Sequence, residues 1–572
     1  MRVTTNDRLT AVCAGFFVLL AAVWVRCLCL QWLANGRLAR LGEAQHWTSR
    51  RLVPARGTVY DRTGRVLAVG TLAPSVFANA RRVLAKEQIA AQVAKILRKD
   101  PQFVRRRLSK DKSFVWVARQ VDPELEAPLQ PFRRQGIGIV EEAKRVYPQG
   151  KLASHLLGYV DIDQRGLEGL ELAFNGMLRG HPGWISTLRD AKGDFLIGPW
   201  TVQVPPKDGC NLVLTIDSVV QAVAEEALAW GVKQFHAKGG ALVILDPATG
   251  QVLALANQPD FDPNHPGHVS ADARRLRAIT DIMEPGSVFK VVTAAALLEE
   301  GAIQPEERIY CEEGSYATIG HHVLHDHRPH GWLTFHEVIE YSSNIGTAKA
   351  AKRLSPETLY QYIRAFGYGQ KTGIELRGEV AGMIAPPSKW SKLSPYIIPI
   401  GQEVGVTPIQ MAGMMAIVAN GGWQVQPYLV QRIESGDGHV VRQYDMRRGE
   451  KILSPKTIET LTSMLTSVVE SGTGQLANIQ GLTVAGKTGT AQKLEPNGRY
   501  SHSRFIASFV GYGPVPDPRF VMAVSIDEPR PQYFGGVVAA PVFRRVVEQL
   551  ASYWDLKPPA APEQVLASVK NS

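Results

Sequence analysis

Two stretches of this chain restrict its fold more than any others. In "GALVILDPATGQVLALANQ" (Gly240–Gln258) two apolar runs flank Asp246-Pro247-Ala248-Thr249-Gly250. In "FIASFVGYGPVPDPRFVMAVSID" (Phe505–Asp527) two more flank the segment Pro514–Pro518. Apolar, β-branched runs joined by a few turn-forming residues read as hairpins. A hairpin pairs antiparallel strands, whereas a parallel pair needs a crossover of a dozen or more residues. The C-terminal half is therefore expected to hold an antiparallel sheet, with "PVFRRVVEQLASYW" (Pro541–Trp554) as a helix packed on it.

That expectation decides a second stretch. "GLTVAGKTGTAQ" (Gly481–Gln492) fits the phosphate-loop pattern G-x-x-x-x-G-K-[ST] letter for letter. A phosphate loop needs a strand, a flexible glycine loop and a helix whose first turn carries the Lys and Thr. Here Leu482, Thr483, Val484 and Ala485 read as strand, and Gly489 suits no helix start. "FVMAVSID" could pass for the acidic strand of an NTPase, but it belongs to a hairpin, and an NTPase core is parallel. Lys487 is expected on a strand, serving another chemistry.

The N-terminus carries an uncharged run from Leu9 to Val25, and apolar character resumes after Arg26 through Leu33. About 20 apolar residues span a bilayer, and Trp24, Trp32 and Arg26 suit an interfacial end. With no small-x-small cleavage site, the segment reads as an uncleaved signal anchor, with the large domain beyond it outside the cytoplasm. The 8 residues before Leu9 leave no room for a cytoplasmic output domain.

A net charge of +11 favours anionic surroundings, yet much of it sits in clusters such as "RKDPQFVRRRLSKDK" (Arg98–Lys112). Such runs are usually solvated faces, and no nucleic-acid signature accompanies them. Five cysteines make neither a disulfide framework nor a C-x-x-C metal knuckle. A single Cys210–Cys311 bridge stays geometrically open. From Asn35 to Pro206 short strand-like runs alternate with helical ones such as Glu87–Leu97. "TVQVPPKDGCN" (Thr201–Asn211) then marks a boundary, and "LVLTID" opens the second domain. The tail "LKPPAAPEQVLASVKNS" reads as disordered.

Chemistry enters through short motifs. S-x-x-K occurs at Ser109–Lys112 and at Ser287–Lys290, K-T-G at Lys371 and at Lys487, and S-x-N once, at Ser342-Ser343-Asn344. Context separates the copies. Ser109 lies in a charged surface run, and Lys371 in a glycine-rich turn to which no catalytic role is assigned. In "MEPGSVFKVVTAAALLEEG", Pro285-Gly286 make a turn, Ser287 starts a helix, and the i, i+3 spacing brings Lys290 within reach of the serine hydroxyl. A serine is a weak nucleophile until a base takes its proton, and a lysine can do so when burial lowers its pKa.

The ordered set Ser287-x-x-Lys290, Ser342-x-Asn344, Lys487-Thr488-Gly489 resembles that of the serine acyl-transferases that include β-lactamases and penicillin-binding proteins. Beyond it, "RGTVYDRTGRVLA" (Arg56–Ala68), "RVYPQGKLASHLLGYV" (Arg145–Val160) and "GLEGLELAFNGMLRG" (Gly166–Gly180) resemble the pedestal motifs of class B penicillin-binding proteins. "VTPIQMAGMMAIVANGG" and "ESGTG" (Glu470–Gly474) resemble their transpeptidase domain. The resemblance covers nearly the whole chain.

The resemblance implies an α+β protein: a single transmembrane helix, an elongated mixed α/β pedestal, and a transpeptidase domain with a five-stranded antiparallel sheet flanked by helices. The expected division is a cytoplasmic tail 1–8, an anchor 9–33, a pedestal 34–205, a transpeptidase domain 206–555 and a disordered tail 556–572. It implies that Ser287 attacks the penultimate D-Ala carbonyl of a stem pentapeptide while Lys290 accepts the proton. Backbone N–H groups of Ser287 and Thr490 would hold the oxyanion. Ser342 would relay a proton to the leaving D-Ala, and Asn344 would orient Lys290 and the substrate amide. Lys487, Thr488 and Thr490 would hold the terminal carboxylate, with Gly489 letting substrate approach the backbone. No metal or cofactor is implied. The implied partners are peptidoglycan stem peptides, β-lactams, and a SEDS-family glycosyltransferase with other division proteins in the cytoplasmic membrane.

Glu284 before Pro285-Gly286-Ser287, the Ser343-Asn344 pair and "KTGTAQK" resemble the division-specific branch, whereas the elongation branch more often has aspartate at the place of Asn344. Spore-specific relatives look much the same. The competing readings are an elongation or sporulation enzyme, a retired muropeptide or β-lactam sensor, and a scaffold for division proteins. Three features stand outside the motif set. "GHHVLHDHRPHGW" packs His321, His322, His325, His327 and His330 near Cys311 at no fixed zinc spacing, and reads as a structural loop. Asp326 within it resembles an aspartate the family often has upstream of S-x-N. Glu403 either lines the cleft or caps a helix, and the cap is the favoured reading.

Overall fold

The computed structural model describes residues 5–33, 36, 47–189, 195–196, 198–199, 201–319, 322–495 and 498–556. His321 and nearly all of the expected disordered tail lie outside them. The chain forms two compact units, Met1–Ala55 with Gly180–Asp208, and Arg56–Arg179 with Gly209–Ser572.

In the first unit a helix runs from Thr5 to Leu28 and continues as a π turn, Cys29–Leu33. Asn6–Trp32 is long and apolar enough to cross a membrane, with mean hydropathy 2.3 and its side chains exposed, as a lipid-facing helix requires. The same unit holds a small antiparallel sheet of Trp47–Leu52, Gly183–Arg189, Phe195–Leu196 and Val202–Val204.

Among the described residues the second unit contains two large sheets, of seven and five strands, and four two-stranded ones. In the larger, Asn211–Leu214 pairs in parallel with Val59–Tyr60 and antiparallel with Val430–Glu434. "LVLTID" thus ties the chain's early strands to its late ones. The three pedestal-like sequence motifs meet in one buried cluster. The Arg56 guanidinium and the Arg145 Nε (2.6 Å) both donate to the Glu171 carboxylate, with side-chain exposures of 1–2%. One carboxylate between two guanidinia is expensive to desolvate and holds only while every partner is present.

The second sheet is the predicted one. Its strands are β1 (Gly239–Leu245), β2 (Val252–Gln258), β3 (Ala485–Leu494), β4 (Tyr500–Gly513) and β5 (Phe520–Asp527). All pairs are antiparallel, in the order β2-β1-β5-β4-β3. Alternation splits the side chains of β1 between two cores. Leu242 and Ile244 face one that includes Phe509, Phe520 and the helices α1 (Ser218–Gln234) and α6 (Ala540–Leu550). Ala241, Val243 and Leu245 face the other, with residues of α2 (Lys290–Glu299), α3 (Asn344–Ala351), α4 (Pro408–Ala419) and α5 (Pro455–Glu470). The helix at the C-terminal side packs as expected, Phe543 meeting Phe509 edge-on at 4.9 Å.

One detail departs from the sequence reading. The strand carrying Lys487 begins at Ala485, because Leu482 is already spent on a turn bridged to Ile479. Cys210 and Cys311 are both free thiols, Cys311 buried against the Ser343 hydroxyl.

The Arg56–Glu171–Arg145 cluster generates a test. Glu171→Ala leaves two buried guanidinia without their counter-ion and is expected to cost about 3–5 kcal/mol. The midpoint of chemical denaturation reads it, and an unchanged midpoint would rule out the cluster as a structural clamp.

Candidate active site

The nucleophile candidate sits on a tight turn. Gly286–Phe289 is a single 3₁₀ turn, and α2 begins only at Lys290. Gly286 takes φ +52°, a region open chiefly to glycine, and a Cβ there would lie 2.8 Å from the Thr490 carbonyl oxygen. The turn is thereby pressed against the outer edge of β3, the edge strand of the sheet. Val288, Phe289 and Lys290 are fully buried, and Phe289 stacks on Tyr368.

The i, i+3 spacing does not by itself join the amine to the serine. Lys290 Nζ donates instead to the Ser342 carbonyl (2.6 Å), to Asn344 Oδ1 (2.8 Å) and lies 3.2 Å from Ser342 Oγ. Among the described residues no group forms a hydrogen bond with the half-buried Ser287 hydroxyl. Catalytic contacts of this kind tighten when substrate arrives. Two of the three Lys290 partners can only accept. The neutral amine satisfies both with its two N–H bonds and keeps its lone pair.

Burial drives that neutrality: desolvation pushes the Lys290 pKa down to about 7, against an opposing pull from the Asp326 carboxylate. Lys487 is also fully buried, and burial, helped by repulsion from Lys290, holds its pKa well below the usual lysine range. Its Nζ has no hydrogen-bond partner among the described residues. A buried amine without an acceptor is costly, and an anion at this spot would satisfy it.

Ser342 adopts φ +60°, a left-handed conformation that costs a non-glycine residue energy and turns its carbonyl onto Lys290. What holds it is the start of α3. Ser343 caps the helix by accepting from Gly346 N–H (2.9 Å) and donates its own proton to Asp326 (2.6 Å). The Asp326 carboxylate also accepts the N–H groups of Asn344 and Ile345 (3.0 Å). Asn344 Nδ2 donates to the His325 carbonyl (2.8 Å), which fixes Oδ1 toward Lys290. The aspartate noticed in the sequence is therefore the anchor of the S-x-N segment. The rings of the histidine loop go elsewhere: His325 to Ser315, His322 to Thr318, His327 onto Phe534 and His330 onto Tyr341.

Strand alternation sorts the K-T-G-T residues into two faces. Lys487 and Gly489 share one face of β3, Thr488 and Thr490 the other. Thr488, 7% exposed, shares a hydrogen bond with the Thr473 hydroxyl (2.8 Å). Thr490 Oγ1 accepts from Gly535 N–H (3.0 Å) and keeps its own proton to donate. A Cβ on Gly489 would meet Ser508 Oγ at 2.4 Å and the Pro285 carbonyl at 2.8 Å. The neighbouring strand and the turn that carries Ser287 thus both require glycine there. Glu403 caps no helix. Its carboxylate accepts from Ser394 Oγ (2.5 Å), while its N–H donates to Glu284, which also accepts from Tyr500. Sequence reasoning missed that Glu284–Tyr500 link and the Gly535 and Thr473 supports behind β3. "GG" after two aromatics (Tyr533, Phe534) was the only available signal for the Gly535 support. Ser109 and Lys371 take no part in the cluster; both are exposed.

Asp326→Ala removes one acceptor that three donors share, two of them at a helix start. It is expected to destabilise the chain by about 1–3 kcal/mol, the cost of leaving such groups unpaired. Thermal denaturation measures this, with Asp326→Asn recovering part; an unshifted midpoint would show that α3 does not need the carboxylate.

Comparison with known proteins agrees with this geometry. Residues 240–548 match the penicillin binding protein transpeptidase domain, and residues 51–214 the penicillin-binding protein dimerisation domain. The chain is 33% identical to the probable peptidoglycan D,D-transpeptidase PenA of Neisseria meningitidis over 95% of its length and 92% of that protein. It is 32% identical to stage V sporulation protein D of Bacillus subtilis, over 97% of this chain and 87% of that one. The crystal structure of penicillin binding protein 3 from Mycobacterium tuberculosis complexed with aztreonam superposes with a TM-score of 0.70. It has 28% identity and covers 89% of this chain and 99% of that one. With the Ser287 turn against the K-T-G edge strand, a buried Lys290 bonded to Ser342 and Asn344, and these matches along its length, this chain belongs to the class B penicillin-binding proteins and is a peptidoglycan D,D-transpeptidase.

Proposed function

We propose that the chain cross-links stem peptides through an acyl-enzyme on Ser287, in septal wall synthesis, with its catalytic part outside the cytoplasm. The observation that carries the chemistry is the Lys290 amine, held by Ser342 and Asn344 one turn from Ser287 with its pKa near neutrality. Ser287 Oγ bonds to the penultimate D-Ala carbonyl carbon as its proton passes to Lys290 Nζ. The N–H groups of Ser287 and Thr490 stabilise the oxyanion. That proton leaves by way of Ser342 to the departing D-Ala nitrogen as the C–N bond breaks. An amine from a neighbouring stem then attacks the ester, loses its proton by the same route and frees Ser287. The terminal carboxylate is held by the Thr488 and Thr490 hydroxyls on one face of β3, with the unpartnered Lys487 amine supplying positive charge from beneath; binding it would favour the charged form of Lys487. Asn344 orients Lys290 and the substrate amide. A β-lactam, mimicking the D-Ala–D-Ala terminus, opens on the same serine.

Septal action is supported by Glu284, Ser343-Asn344 and "KTGTAQK", with a SEDS-type polymerase as membrane partner. The anchor Asn6–Trp32 fits a single crossing of the cytoplasmic membrane. Depletion is expected to give filaments; swollen, rounded cells would indicate elongation, and a defect confined to spores would indicate the sporulation role.

The chemistry is tested by labelling with a fluorescent penicillin. One adduct per chain is expected, on Ser287, lost in Ser287→Ala and formed about 10²–10⁴-fold more slowly in Lys290→Ala. The base works only when neutral, so the acylation rate should rise with pH, bend at about 7 and level off above it. Lys290→Arg should erase that bend. An adduct on another serine would refute the assignment.

A further inference from the structure

The second K-T-G takes no part in the catalytic cluster, yet it borders a cavity of its own. Lys371-Thr372-Gly373 borders a space of about 440 Å³ between α4 and the loops around 365–373, 424–427 and 447–449. That volume suits a small ligand. No aspartate or glutamate lines it, whereas Lys371, Arg447 and Arg448 do. None of these three cations enters an ion pair with a described residue: Arg447 donates to Gln426 (3.2 Å) and Arg448 lies over the Trp423 ring. The nearby Glu379 is spent on the N–H groups and hydroxyl of Thr372 and Gly373, at 2.6–3.1 Å.

The walls are fixed in advance. Gln424 donates to the Ala365 carbonyl (2.8 Å), Gln426 to that of Gly373 (3.2 Å), and Gln410 to those of Gln370 (2.7 Å) and Ala381 (2.9 Å). Each amide ties one wall to another, so the cavity exists without an occupant to shape it. On the α4 side, Gly413 leaves its Cβ direction open, with nothing within 4 Å. Exposed cations are usually only solvated, but three of them around a preformed, acid-free hollow concentrate positive potential there.

We propose that this cavity binds a small, multiply charged oxyanion bearing at least two carboxylate or phosphate groups. The fork of an arginine fits either oxyanion, and Lys371 adds a point charge. The site shares no residue with the catalytic cluster.

The test is calorimetric titration of the detergent-solubilised full chain, first acylated with penicillin so that Ser287 is closed, with citrate and pyrophosphate in separate arms. Saturable one-to-one binding is expected, weakening with added salt. The tighter arm tells whether the natural occupant presents carboxylates or phosphates. Gly413→Leu, which fills the hollow, and the double change Lys371→Gln with Arg447→Gln should each weaken binding at least tenfold. Both variants should still acylate at the normal rate, which shows that they fold. The proposal is overturned if neither probe gives saturable heat, or if either folded variant binds as the parent does.

Discussion

The geometry of the candidate site turns on one buried amine. Lys290 is placed where water cannot solvate its charge, and what it finds instead are a carbonyl, an amide oxygen and a hydroxyl. A desolvated ammonium with only neutral acceptors loses its proton far more readily than one in water. The cost of that arrangement appears in the backbone. Ser342 is held at positive φ, and α3 is capped twice, by Ser343 and by Asp326, so that the strained residue has no room to relax. Strain of this kind persists only where its surroundings over-determine it.

The second constraint is the free edge of β3. An unpaired edge strand is a hazard in most proteins because its N–H and C=O groups invite another chain. Here the hazard is managed by covering part of the edge with the nucleophile's own turn. Contact that close requires glycine on both sides: Gly286 against Thr490, Gly401 against Gly286, and Gly489 against Pro285. Behind the strand, Gly535 approaches Gly489 and Ser508 so closely that a Cβ would lie 2.2 Å from either carbonyl oxygen. The chain thus brings an edge, a nucleophile and a buried base together through backbone contacts.

Much of this was legible because it is local. The two hairpins, the helix after Ser287 and the N-terminal apolar run arise from residue patterns a dozen positions wide, and each lies where the pattern puts it. What stayed hidden is pairing across the chain. Nothing in "HDHRPH" says that Asp326 will sit at the start of α3, nor does Glu284 announce Tyr500, 216 positions away. The faces of β3, which set Thr488 apart from Lys487, were missed for a simpler reason. A motif read as a string ignores that alternate side chains leave a strand on opposite faces.

The two K-T-G copies show how far a motif depends on its setting. At Lys487 the tripeptide lies on a strand, its lysine is walled off from water, and its threonine locks the strand to the segment behind it. At Lys371 the same three residues form a loop; the lysine is exposed, and the threonine and glycine amides are taken up by Glu379. The lysine side chains are chemically identical. One is pushed toward neutrality by burial beside a second cation, and only a bound anion restores its charge at little cost. The other stands in solvent, on a loop no strand edge supports. Reactivity therefore resides in the strand edge and its desolvated surroundings, and the letters record only that a lysine is available there.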